Sequence, residues 1–145
     1  MVSPGCYRGG LNGPAHLLYD VFDAESLTRY QYFQEHSRED FDMVLDTAVK
    51  IGRDILQPCL REMGQDPPKL VNGQVIVHPV VKTFMRECGE GGWIGAHAPF
   101  DRQGQQLPTM IINAFMFIFG AANYSASVYP HQLDCGLGSF RRKSL

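Results

Sequence analysis

The most constraining feature of this chain is a charge-free stretch. From Gln103 to Leu133 there is no Asp, Glu, Lys or Arg, and within it "IINAFMFIFGAA" is apolar around the whole helical circumference. Such a helix is buried on every side or crosses a membrane. Asn113, Gly120, Asn123, Ser125 and Ser127 interrupt it, and no basic flank marks an orientation. A buried helix is therefore expected, and no membrane span. A helix apolar on all sides is hard to cover in a chain of 145 residues. The stretch near 109–122 is expected to be the least well covered element, in need of an oligomer or a partner chain.

The rest of the composition narrows the class. The length fits one domain, and 44% hydrophobic with 19% charged residues describes a globular chain. A formal charge of −2 gives no electrostatic case for nucleic acid. Cys6, Cys59, Cys88 and Cys135 form no CxxC pair, and no histidine sits at a zinc-finger spacing from them. Structural cysteines in a reducing, cytoplasmic compartment are expected, with no metal. The glycine- and proline-rich start lacks the apolar core of a signal peptide. Asn123-Tyr124-Ser125 matches a glycosylation sequon and is read as coincidence.

The chain order predicts an all-α fold with one small β-hairpin. Residues 1–13 read as a flexible arm. A helix starts at Pro14 with Leu17, Leu18, Val21 and Phe22 on one side, and a short second helix follows in "AESLTRYQYF". "SREDF" is a capping-box pattern that opens the longest helix at Ser37, with Asp40 in the first turn. Phe41, Val44, Leu45, Ala48, Gly52, Ile55, Leu56 and Cys59 then recur at helical spacing. Pro58 ends or kinks that helix. "KLVNGQVIV" sets Asn72-Gly73 between apolar residues, a hairpin signal near 70–77. "PVVKTFMRECGEGG" is another helix, stopped by glycines. Trp93 and Ile94 are expected to plug into the core, "HAPFDRQGQQLP" is a loop, and Pro108 opens the apolar helix.

This order of pieces resembles the N-terminal helical domain of acyl-CoA dehydrogenases, in the branch with an extra N-terminal helix segment. The resemblance rests on the helix ending in Pro58, the Asn72-Gly73 hairpin, the Gly92-Trp93 step and the loop "PFDRQGQQLP". That loop is similar to the family's "PEEYGGQGLP". It keeps Pro99, Gly104-Gln105 and Leu107-Pro108. It carries Gln106 where the family usually has glycine, and "DRQ" where the family has "EYG". The likeness covers about residues 17–130, within a helical domain expected over 14–130. The tail 131–145 and the arm 1–13 do not share it, and a shortened or frame-shifted reading frame is a natural explanation.

The resemblance implies an FAD-dependent oxidoreductase of CH–CH groups in fatty acid metabolism. Such enzymes take an α-proton and a β-hydride from an acyl-CoA thioester. It places the apolar helix beside the acyl chain and flavin, which makes Phe115, Phe119 and Tyr124 substrate-pocket candidates; plain interdomain core is the other reading of the three. It also places the catalytic glutamate and most flavin contacts in a middle β-domain and a C-terminal bundle with no counterpart in this sequence. No catalytic residue is assigned, and the chain is expected to be inactive alone. The alternative is a non-catalytic helical interaction module or remnant, or one subunit of a split enzyme.

Overall fold

The computed structural model describes residues 16–142, with side chains described through His131. The 1–13 arm, the Pro14 helix start and Cys6 lie outside the described residues, as does the side chain of Cys135. The described chain is helical apart from one hairpin. The main elements are α1 (Arg38–Ile51), α2 (Leu60–Gln65), β1 (Lys69–Val71), β2 (Gln74–Ile76), α3 (Pro79–Glu90) and α4 (Thr109–Arg142).

The start of α1 is built as the sequence predicts. The Asp40 amide donates to the Ser37 hydroxyl, and the Asp40 carboxylate accepts from the Ser37 amide at 2.7 Å. Those Ser37 hydrogen bonds hold the Asp40 carboxyl below its ordinary range, because they favour its charged form. The helix does not run unbroken to Pro58, and it is not the longest element: α1 has 14 residues and the kinked α4 has 34. Helix α1 widens into a π turn over Gly52–Leu56 and tightens into a 3₁₀ turn over Gln57–Cys59. Pro58 is the cause in the second turn, since it brings no amide donor to the ladder.

Ahead of α1, His16–Val21 is a wide π-type turn and Ala24–Arg29 a 3₁₀ helix. Of the four apolar residues expected on one side here, only Leu18 enters the core; Leu17, Val21 and Phe22 are exposed. Tyr19 fastens this segment to α1. Its hydroxyl donates to Asp42 at 2.7 Å, and the Arg38 guanidinium stacks 4.2 Å above its ring. Burial and the Asp42 carboxylate push its pKa upward.

Asn72 and Gly73 both take left-handed backbone conformations, so the turn matches the twist of its two strands. Leu70 pairs with Val75 across the antiparallel register. Both strands are exposed throughout, with Leu70 at 74% and Val75 at 65%.

The loop before α4 depends on close backbone approach. A Cβ at Gly104 would stand 2.0 Å from the Ala98 carbonyl oxygen, so only glycine fits there. The Gln105 amide donates to the carbonyls of Gly91 and Gly92 at 3.0 and 3.1 Å, tying the loop to the turn that ends α3. Pro108 then offers its carbonyl to the amides of Ile111 and Ile112 at the head of α4.

Helix α4 corrects the expectation drawn from its composition. It is not buried on every side. Ile111, Phe115, Ile118 and Phe119 occupy one face and are buried against α1, α2 and α3, whereas Phe117 is 65% exposed. Large apolar groups lie bare along the hairpin more than along 109–122. The stretch Thr109–His131, at a mean hydropathy of 1.4, is long and apolar enough to cross a membrane by length and composition. It is not one straight rod, because Asn123 has non-helical angles (φ −163°, ψ 95°). Asn123 is fully buried. Its Nδ2 donates to the Leu56 carbonyl at 3.2 Å, and its Oδ1 accepts from the Ala126 amide at 3.2 Å. One side chain thus satisfies the open end of the α1 extension and caps the second arm of α4. Its burial also leaves the sequon at 123–125 without an accessible acceptor amide.

Candidate functional site

Four aromatic rings meet where α3 and α4 cross. Trp93 stands edge-on to Phe115 and Phe119 at 4.9 and 5.3 Å, and Phe84 stands edge-on to Phe119 at 5.1 Å. Trp93 reaches this position because the chain reverses sharply at Gly92, whose φ is +71°. Any side chain there would also meet the Gln105 amide at 2.4 Å.

Beside these rings lies a cleft of about 260 Å³. Phe115, Phe119 and Trp93 form its floor, Ile112 and Met116 one wall, and Thr109, Asn113 and His97 a polar edge. Pro130 and His131 come to it from the far arm of α4. On a straight helix Thr109 and His131 would stand about 33 Å apart. They line one cleft because the chain turns back at Asn123.

Of the three pocket residues expected from the resemblance, Phe115 and Phe119 are on this cleft and Tyr124 is not. Tyr124 follows directly on the break and is 73% exposed, while its neighbour Asn123 takes the buried position. Phe115 and Phe119 are also buried members of the hydrophobic core of this chain. Thr109, Ile112, Asn113 and Met116 fall at i, i+3, i+4 and i+7, a helical face that the sequence does display. Pro130 and His131 carry no such signal, since a side chain buried 60 residues from its partners sets the fold-back.

The chemistry available is limited. Among the described lining residues there is no carboxylate. The titratable groups are Cys88, His97 and His131. Burial, with the Glu87 charge adding to it, pushes the Cys88 thiol up to about 12. It stays protonated at neutral pH and is no nucleophile. The cleft thus has an apolar floor and a polar edge and, among its described lining, no acid–base pair.

No family model, no curated protein and no solved structure matches this chain.

Proposed function

We propose that this chain is the N-terminal helical portion of an FAD-dependent acyl-CoA dehydrogenase, forms one wall of the acyl site, and is inactive alone. The observation that carries this reading is the loop before α4. The family's "PEEYGGQGLP" has glycine where this chain has Gln103 and Gln106. Those two residues have φ of +62° and +52°. A left-handed conformation is what glycine supplies without strain. The two departures that replace a family glycine thus fall on positions whose backbone still suits glycine, while Gly104 keeps the contact with Ala98 that no other residue permits. The cleft has Phe115 and Phe119 on its floor, and the resemblance puts the helix that carries them beside the acyl chain.

Gln103→Gly is expected to stabilise the protein by about 0.5–1 kcal/mol. The left-handed residue costs roughly 1–2 kcal/mol, and glycine's greater loss of chain entropy offsets about 0.5–1 kcal/mol of that gain. Gln106→Gly gains less, because the Gln106 side chain donates to the Tyr32 carbonyl. Urea midpoints check both. A loss of stability in Gln103→Gly would remove the loop equivalence.

The absorption spectrum of the purified chain tests the functional half. With most flavin contacts on other domains, the preparation is expected to be colourless and to stay so after FAD addition and desalting. Oxidised-flavin bands at one equivalent would contradict the proposal and favour a complete flavin site.

A further inference from the structure

Outside the cleft, one cluster joins a Cys and a Glu three residues apart to a His that lies 16 residues further on. Cys59 ends the 3₁₀ turn after α1, Glu62 lies on α2, and His78 caps α3. One ligand atom from each lies within 4.8 Å of the other two. We propose that Cys59, Glu62 and His78 bind a zinc-class divalent cation that closes the base of the 69–76 hairpin.

The donors suit a borderline-soft metal. A thiolate, an imidazole and a carboxylate are each zinc ligands, and three of them leave a fourth position open. Tetrahedral zinc, with ligands at about 2.0–2.3 Å, holds donor atoms roughly 3.3–3.8 Å apart. His78 Nε2 and Glu62 Oε2 already stand 3.3 Å apart, so only the approach to Cys59 has to close, by no more than about 1.5 Å. Glu62 is free to make that movement, being 71% exposed at the side chain, while His78 is only 19% exposed and is held in place. Metal-ligand sequence patterns do not reveal the trio, because the hairpin separates Glu62 from His78.

The metal-free state is also defined. The Val80 amide donates to His78 Nδ1 at 3.2 Å, so Nδ1 is unprotonated and the neutral ring carries its proton on Nε2. That proton points to Glu62 Oε2 at 3.3 Å. Coordination through Nε2 requires the other tautomer. The ring proton moves to Nδ1, the Val80 amide loses its acceptor, and the Cys59 thiol releases one proton to solvent. Metal binding thus exchanges a helix cap for a cross-link between α2 and α3.

The test is a titration of the reduced, metal-free full chain with Co²⁺, followed by Zn²⁺. The expected result is one Co²⁺ per chain with a sulfur-to-cobalt charge-transfer band that Zn²⁺ displaces. The amide cross-peak of Val80 shifts in the same titration, a change that binding elsewhere would not produce. Cys59→Ser removes the band, and Glu62→Gln, a surface change that spares the fold, weakens binding at least tenfold. Absence of the band overturns the proposal, as does a band that survives Cys59→Ser or is unmoved by Glu62→Gln. None of these outcomes depends on the acyl-CoA reading.

Discussion

Phe119→Ala is expected to destabilise the protein by about 3–5 kcal/mol, the usual cost of emptying a fully buried phenylalanine site. Phe119 has three aromatic neighbours, Phe84, Trp93 and Phe115, all within 5.8 Å between ring centres. Its loss leaves a void at the crossing of α3 and α4. A domain of this kind holds only about 5–15 kcal/mol in total, so the variant loses a large share of its margin. Thermal unfolding should fall by roughly 10 °C at about 2–4 °C per kcal/mol. Phe117→Ala, two residues away on the same helix, is the internal control. That ring is exposed, and its removal should cost no more than about 0.5 kcal/mol. Equal losses for the two variants would contradict the one-sided burial of α4.

The second large effect is on activity. Incubated with FAD, a series of acyl-CoA thioesters and an electron-accepting dye, the chain alone should reduce no dye above the free-flavin background. Dehydrogenation needs a base at the α-carbon and a flavin against the β-carbon at the same moment. A placed base contributes about 10²–10⁴-fold, and holding reactants in geometry supplies roughly 7–11 kcal/mol more. The described cleft offers an apolar floor and no carboxylate, and its one thiol stays protonated. Asn113→Arg, which sets a long charged side chain at the exposed edge of the cleft, is the control. Dye reduction that this variant abolished would show a competent site in the chain itself.

Local chemistry explains what could be read from the sequence. Ser37 and Asp40 cap α1 with bonds that span three residues, and Asn72-Gly73 makes its turn within itself, so both were visible as short patterns. The stripe through Phe41, Ala48 and Leu56 gave α1 its buried face. Trp93 was placed in the core by its position after a glycine stop. The rest was set at long range. Asn123 looks like one more polar interruption until its amide is seen to meet the Leu56 carbonyl, 67 residues earlier. That contact breaks α4, brings Pro130 and His131 to the cleft and leaves Tyr124 outside it. The apolar run predicts a helix buried all round because composition counts residues without saying which faces find neighbours. His78 meets Cys59 and Glu62 only because the hairpin folds between Glu62 and His78.

Trp93 is the only tryptophan in the chain and lies on the cleft floor, so its emission reports directly on the proposed acyl site. A fluorescence titration with acyl-CoA thioesters of increasing chain length should give a saturable change that grows with the acyl chain. Free CoA should give none, and Asn113→Arg should weaken the response at least tenfold. No response to any thioester, or an equal response to free CoA, would contradict the claim that this cleft receives an acyl chain.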